Sequence, residues 1–148
     1  MSPDERVGTA EEAQIRRLIE QRVEAVHAKQ AAVLTGQMSG RAVLYDAMGP
    51  LQQVGVEAES KRLEEWLASY RGQIGYEIRN LDITADGDVG FCHLLYRVSG
   101  TTTAGTNIDM WLRATLGLRK LDGNWTIVHE HNSVPFDATG AASMDLKP

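Results

Sequence analysis

Two segments near the C-terminal end of the chain carry many ionisable side chains. They run from Asn107 to Lys120 and from Trp125 to Pro135, with Asp122-Gly123 between them. The first alternates apolar and polar residues and the second is rich in β-branched and aromatic residues, so both are predicted to be strands of one hairpin. Acids, bases and an arginine on such a hairpin could transfer protons or hold a small anion. These groups are Asp109, Arg113, His129, Glu130 and His131.

The two histidines are two residues apart, so both can point to the same face of a strand. A histidine pair can bind zinc, but a zinc site needs at least one further protein ligand. The sequence offers no further ligand at a suitable spacing, and we therefore predict no metal site. Structural histidines that form hydrogen bonds at a sheet face or at a dimer contact are the favoured interpretation.

The turn at 122–123 predicts which side chains share a face of the hairpin. If these are the two central residues of a tight turn, Thr115 pairs with Glu130. Glu130 would then share a face with Asp109 and Arg113, and the two histidines would lie on the opposite face. A change of one residue in the loop would reverse this arrangement.

Composition and length restrict the class of protein. The chain has 148 residues and a formal net charge of −5. We predict one domain over residues 1–148, with 1–8 and 136–148 as terminal extensions. The acidic balance argues against a nucleic-acid partner, and the absence of an apolar run of roughly 20 residues argues against a membrane partner. The lone cysteine, Cys92, is consistent with a cytoplasmic location, and the absence of nucleotide-binding motifs predicts no cofactor.

The N-terminal half has the patterns of helices. Thr9-Ala-Glu-Glu12 has the form of a capping box, which predicts a helix from there to about Lys29. Arg22 borders the apolar stripe of this helix. Its stem could cover apolar surface, or its guanidinium could face a pocket.

Further elements follow in chain order. Trp66 falls in a predicted third helix at helical spacing with other apolar residues, where it either packs in the core or contacts a ligand. The predicted helices are 31–38 and 58–70, and the predicted strands are 41–46, 76–83 with a bulge at 79–80, and 89–99. Helices followed by antiparallel strands indicate an α+β fold, in which N-terminal helices pack on a strongly curved antiparallel sheet and form a cone with an internal pocket. Because both faces of the long strands carry apolar groups, we predict a homodimer through the sheet.

Two segments carry a resemblance to a known family. Trp125-Thr-Ile-Val-His-Glu-His-Asn-Ser133 resembles the W-x-x-V/I-H-x-H-x-S pattern on the last strand of many small members of the nuclear transport factor 2-like superfamily, also called SnoaL-like or ketosteroid-isomerase-like. Asp109-Met-Trp111-Leu-Arg113 is similar to a segment of bacterial SnoaL-like proteins. The resemblance extends over nearly the whole chain to Pro135. It implies the fold but does not imply one activity, because the superfamily includes isomerases, cyclases, dehydratases, epoxide hydrolases and scaffolds.

Ketosteroid isomerase suggests roles for two acids. Leu44-Tyr45-Asp46-Ala47 is similar to the segment that carries its base, and Asp109-Met110-Trp111 to the segment that carries its protonated aspartate. The resemblance therefore implies Asp46 as base and Asp109 as a neutral or arginine-paired partner. Arg22 stands where that enzyme has a tyrosine donor. The structural alternative is that Asp46 caps a turn and Asp109 pairs with Arg113.

These residues and the resemblance are consistent with two functions. The first is a ketosteroid-isomerase-like or polyketide-cyclase-like enzyme that transfers a proton on a small hydrophobic, carbonyl-bearing substrate. The second is a non-catalytic binding or assembly module for a small carboxylate or hydrophobic ligand. Epoxide hydrolysis, which would use an Asp-Arg-Asp arrangement, fits the order of Asp109 and Arg113 poorly. The predicted catalytic residues are Asp46 and Asp109, and the predicted ligand-binding residues are Arg22, Trp66, Trp111, Arg113, Glu130 and His131.

Overall fold

A computed structural model describes residues 9–148, and the predicted extension 1–8 lies outside this range. Within residues 9–148 the chain forms three helices and six strands. The helices are α1 (Ala10–His27), α2 (Ala31–Gly36) and α3 (Val56–Ala68), and the strands are β1 (Met38–Tyr45), β2 (Gln53–Val54), β3 (Tyr70–Asp86), β4 (Val89–Thr102), β5 (Asn107–Leu121) and β6 (Asn124–Ser133).

The six strands form one curled, unclosed sheet in the order β2-β1-β6-β5-β4-β3. Strands β1 and β6 run parallel, and every other neighbouring pair is antiparallel. The predicted α+β fold, with N-terminal helices packed on a curved sheet, is confirmed. The parallel pair arises because β6, the last strand, enters the sheet between β1 and β5.

Helix α1 begins as predicted. The hydroxyl of Thr9 accepts a hydrogen bond of 3.1 Å from the backbone N–H of Glu12, which satisfies one of the free donors of the first turn. The apolar stripe of the helix is buried against the sheet. The helix ends close to the predicted position, and Lys29 just beyond it has a φ of 55°.

One face of the sheet forms the core and is here called the inner face. Alternate residues of β4 and β5 are buried on it, as the period of two in the sequence indicates. They are Cys92, Leu94, Tyr96, Val98, Leu112, Ala114, Leu116 and Leu118. The residues that alternate with them lie on the opposite, outer face, which is largely polar.

The predicted faces of His129, Glu130 and His131 in β6 are wrong. The hairpin starts in the expected register, but a bulge between Gly117 and Leu118 of β5 leaves Val128 as an extra residue on β6. Thr115 consequently pairs with His131 rather than with Glu130. Because one extra residue turns every following side chain to the other face, Glu130 points inward and the two histidines point outward.

Several boundaries also differ from the predictions. Helix α2 is shorter than predicted because Met38–Gly40 already belong to β1. Strands β3 and β4 extend well beyond 76–83 and 89–99, since Tyr70 pairs with Thr102 at their far end. The predicted bulge of β3 is confirmed between Arg79 and Asp82, with Asn80 at a φ of 57°. Within residues 9–148, none of the helices has both the length and the apolar character that a bilayer-spanning helix needs.

Candidate functional site

Asp109 lies on the outer face of the sheet. Arg97 of β4 donates two hydrogen bonds to its carboxylate, both 2.8 Å long, from Nε and Nη2. These bonds hold the pKa of Asp109 below its usual value. The predicted partner, Arg113, instead donates to the hydroxyl of Ser133 at 3.1 Å.

Asp46 follows β1 and turns toward helix α3. Its Oδ2 accepts a hydrogen bond from Nη2 of Arg62, and its Oδ1 accepts one of 2.7 Å from the backbone N–H of Ala47. Asp46 and Asp109 therefore lie on opposite sides of the sheet. The structure does not bring the predicted base and the predicted donor into one site.

Arg22 and Glu130 form an ion pair in the interior. Nη2 of Arg22 lies 2.5 Å from Oε1 of Glu130, and the two side chains are only 14% and 8% exposed. Burial acts most strongly on the pKa of Arg22 and lowers it, but the Glu130 carboxylate and the smaller effects of two nearby tyrosines together raise it above its usual value. Two predicted ligand-binding residues are thus brought together, and the bulge of β6 is what turns Glu130 toward the helix.

Helix α3 contributes a second polar group to the interior. Glu59 is 6% exposed, and its Oε2 accepts a hydrogen bond of 2.8 Å from Nε2 of Gln53. Nη1 of Arg62 donates to Oε1 of the same glutamine at 3.2 Å and lies 3.5 Å from Oε2 of Glu59. Arg62 is therefore shared among Asp46, Gln53 and Glu59.

The surroundings of Glu59 change its acidity strongly. Burial raises the pKa of this carboxyl from 4.5 to about 7, although Arg62 partly opposes the effect. The negative charges of Glu130 and Asp46 raise the pKa further, and Arg22 lowers it. Glu59 is thus able to take up or release a proton near neutral pH.

Six side chains from α1, α3, β2, β6 and the residue after β1 make up what we call the interior polar cluster. Its ionisable members carry two positive and three negative charges when all are ionised, so protonation of Glu59 leaves the cluster electrically neutral. Two tyrosines border it, and burial raises the pKa of both Tyr76 and Tyr96. The members of the cluster are Arg22, Asp46, Gln53, Glu59, Arg62 and Glu130.

The other predicted ligand-binding residues lie elsewhere. Trp66 of α3 is half-buried, with its ring centroid 5.9 Å from that of Tyr70. Trp111 is on the outer face beneath the guanidinium of Arg79, which lies 4.9 Å from the ring centroid. His131 is on that face as well, 5.5 Å from Tyr45. The outer face therefore carries three of the predicted ligand-binding residues, and these do not reach the interior: Trp111, Arg113 and His131.

The histidines of β6 have structural contacts. Nδ1 of His129 lies 2.7 Å from the carbonyl oxygen of Val43, and its ring meets that of Tyr45 edge-on. Within residues 9–148, no group of three histidine, cysteine, aspartate or glutamate side chains is placed to hold a metal ion.

Comparison with known proteins shows the family. A family model described as a SnoaL-like domain matches residues 15–137. The chain belongs to the SnoaL-like family. No protein of curated function shows significant similarity to the sequence of this SnoaL-like protein.

Solved structures agree with this assignment. An NTF2-like protein of unknown function from Pseudomonas putida KT2440 is 32% identical, with a TM-score of 0.86, and the match covers 97% of this chain and 100% of that one. A ketosteroid isomerase-like protein from Erwinia carotovora atroseptica SCRI1043 is 18% identical, with a TM-score of 0.72 over 85% of this chain and 97% of that one. An uncharacterised protein with a cystatin-like fold from Caulobacter vibrioides is 14% identical, with a TM-score of 0.70 over 82% and 87% of the two chains. The last two similarities show the fold alone.

Sequence reasoning missed three members of the cluster in this SnoaL-like protein: Gln53, Glu59 and Arg62. A signal for Glu59 was present, because it lies four and eight residues before Leu63 and Leu67 and thus falls within the apolar stripe of α3. A carboxyl in an apolar stripe is rarely buried unless it has a partner. Gln53 gave no such signal, since its two-residue strand is too short to show a pattern.

Two depressions of the surface lie away from the cluster. One, of about 320 Å³, lies between α1 and the bulge of β3, and Arg16, Glu20 and Asn80 are among its lining residues. The other, of about 280 Å³, lies between Trp111 and the C-terminal segment from Met144 to Lys147. The internal pocket predicted between the helices and the curved sheet stays a prediction.

Proposed function

We propose that this SnoaL-like protein binds a small carbonyl-bearing molecule beside the interior polar cluster and transfers a proton to or from it without a cofactor. The observation that carries the proposal is the buried carboxyl of Glu59, whose pKa of about 7 suits both uptake and release of a proton at neutral pH. The fold supports the proposal, since proteins with it include one described as ketosteroid isomerase-like.

In this proposal Glu59 is the proton-transferring group. Arg62 lies 3.5 Å from Glu59 and holds it in the neighbourhood of Asp46. A guanidinium beside the site would stabilise negative charge that develops on a carbonyl oxygen when a neighbouring C–H is deprotonated. Asp46, which we predicted as the base, then keeps Arg62 in place.

The ion pair of Arg22 and Glu130 gives the site a fixed charge pattern. Both groups act on the pKa of Glu59, in opposite directions. A preorganised pair needs little rearrangement during a reaction, and it therefore stabilises a charged transition state more effectively than mobile water. The predicted contact of Arg22 and Glu130 with a ligand is part of this proposal.

The proposal is tested by exchange of the protons next to the carbonyl of cyclohexanone and related ketones in D2O, followed by NMR. We expect the protein to accelerate exchange and Glu59→Gln to lower that acceleration roughly 10²- to 10⁴-fold, because an amide cannot act as general base. Glu65→Gln is the matched control, since it makes the same change at an exposed position of the same helix. Equal rates for the Glu59 and Glu65 variants would contradict the role of Glu59.

A carboxylate-binding module is the second candidate. It is favoured by Arg62, whose side chain is 30% exposed and thus reachable by an anion that competes with Asp46. Calorimetric titration with cyclohexanone and cyclohexanecarboxylate separates the two candidates. Saturable binding of the carboxylate alone, lost in Arg62→Met, together with no ketone exchange, would favour the module.

We also propose that two copies associate through the outer face of the sheet and that the protein is cytoplasmic. The first proposal rests on two exposed aromatic side chains of that face, Tyr45 and Phe91. The second rests on the lone cysteine, Cys92, which is consistent with a reducing compartment.

A further inference from the structure

The hydrogen bonds around Gln53 determine which oxygen of Glu59 carries its proton. A guanidinium group only donates hydrogen bonds, so the atom of Gln53 that faces Arg62 must be the amide oxygen. The amide nitrogen of Gln53 then faces Oε2 of Glu59 at 2.8 Å. Because that nitrogen only donates, Oε2 must accept in both protonation states of Glu59.

The other oxygen of Glu59, Oε1, is in a different situation. The contacts of Gln53 and Arg62 with this carboxyl are both made to Oε2. Among residues 9–148, Oε1 has no hydrogen-bond partner. The unpaired side-chain atoms that are sealed from solvent do not include it, so Oε1 keeps some contact with solvent. A proton on Oε1 meets no opposing donor, whereas a proton on Oε2 would face the N–H groups of Gln53 and Arg62.

We infer that Gln53 is a positioning residue that, held by Arg62, places the acidic proton of Glu59 on Oε1 and directs it toward the ligand. This inference rests on the proposed proton transfer at Glu59 and names the ligand class. Oε1 is then the oxygen that accepts the proton of the C–H group next to the carbonyl and returns it. Because the cluster is neutral when Glu59 is protonated, it suits a neutral ketone, aldehyde or ester. A carboxylate would instead have to displace Asp46 from Arg62.

The sign of one pKa change tests the inference. In protein labelled with carboxyl-¹³C glutamate, the pKa of Glu59 is read by NMR titration for the natural chain and for Gln53→Met. We expect the variant to raise this pKa by about one pH unit, because a hydrogen bond to the ionised carboxylate is lost. If Gln53 turned its oxygen toward a protonated Oε2, the same substitution would lower the pKa, and that result or an unchanged pKa would overturn the inference.

Controls separate positioning from a general structural effect. Gln52→Met makes the same change at the exposed neighbouring residue and should leave the pKa of Glu59 unchanged. In the background of Arg62→Met, Gln53 is free to rotate, so we expect Gln53→Met to raise the pKa of Glu59 by less than half as much. An equal rise in both backgrounds would overturn the role of Arg62.

The unmodified protein provides a measurement that does not depend on a variant folding. The side-chain amide protons of Gln53 should shift downfield with a midpoint near pH 7, as their acceptor becomes a carboxylate. Amide protons that do not titrate would overturn the inference. These titrations need no substrate. If the ketone exchange assay fails, the titrations still test where the proton of Glu59 lies. If the pKa of Glu59 changes with the wrong sign, the exchange assay still tests the proposed role of Glu59.

Discussion

Carboxyl groups of this protein differ in acidity because of their immediate neighbours. Asp109 is exposed and accepts two hydrogen bonds from Arg97, so its pKa is lowered. Glu59 is buried and shares its nearest cation with Asp46, so its pKa is raised to about 7. Burial is the main cause of the raised pKa of Glu59, whereas charge-assisted hydrogen bonds from Arg97 are the main cause of the lowered pKa of Asp109.

The raised pKa of Glu59 predicts a pH-dependent stability. Between pH 4.5 and about 7 the unfolded chain has lost the proton of Glu59 while the folded chain keeps it, so stability falls as pH rises through this window. Glu59→Gln cannot ionise and removes this loss. We expect the free energy of unfolding of the variant, relative to the natural chain, to increase by roughly 3 kcal/mol from pH 4.5 to about pH 8.

Urea unfolding at several pH values measures this difference. Glu65→Gln should show no comparable trend, because Glu65 is exposed. A constant difference between the Glu59 variant and the natural chain across the pH range would show that Glu59 ionises as an ordinary glutamate.

The buried ion pair predicts a strong coupling between two substitutions. Arg22→Met leaves Glu130 as an uncompensated charge in the interior, and we expect a loss of about 3–5 kcal/mol in the free energy of unfolding at pH 7. The double variant Arg22→Met/Glu130→Leu replaces the pair by apolar groups and should regain most of that loss. Urea unfolding of the two single variants and the double variant measures the coupling, and additive losses would contradict it.

At the scale of elements, one bulge decides the composition of the interior. Val128 adds a residue to β6, and Glu130 consequently faces Arg22 while His129 and His131 face outward. Without the bulge, the predicted register would have placed Glu130 on the outer face. An irregularity of a single residue therefore determines which side chains reach the candidate site.

The start of α1 predicts a smaller and purely local effect. Thr9→Ala removes the hydroxyl that accepts from the N–H of Glu12, and we expect a loss of about 1 kcal/mol in the free energy of unfolding. Thr9→Ser keeps an acceptor and should stay close to the natural chain. Thermal or urea unfolding measures both, and equal losses for alanine and serine would assign the effect to the methyl group instead of the cap.

At the scale of the whole molecule, the two faces of the sheet differ in burial and in the residues that they carry. The inner face buries the core and the interior polar cluster under the helices. The outer face combines charged pairs such as Arg97 with Asp109 and exposed aromatic rings such as Phe91. The exposed rings are thus the apolar part of a face that is otherwise largely polar.

The proposed dimer is tested on that outer face. We expect sedimentation at micromolar concentration to show a dimer, and Phe91→Asp to shift it to monomer, because a charge would be buried without a partner. Val33→Asp is the control, since Val33 is an exposed apolar residue of α2 on the helical side. A monomer for the natural chain, or a dimer that both variants retain, would contradict an interface at Phe91.

Local patterns of residues were sufficient to predict the class of fold, the family and the larger elements. Periodicity located the strands and the apolar stripe of α1, and Thr9 and Glu12 marked its start, because these signals depend on neighbours within a few residues. The strand motif from Trp125 to Ser133 indicated the SnoaL-like family, which the matching family model confirms. Arg22 and Glu130 also stood out in the sequence, and their role in binding a ligand stays a prediction.

The meeting of ionisable groups, in contrast, follows from contacts between distant parts of the chain. Arg22 and Glu130 are 108 positions apart, and their contact depends on the bulge at Val128, which the sequence pattern did not reveal. Glu59, Gln53 and Arg62 come together because the two-residue strand β2 pairs with β1 at the edge of the sheet and α3 packs against both strands. The acidity of Glu59 depends on burial and on charges brought from α1, β6 and the end of β1, and no local pattern of residues contains that information.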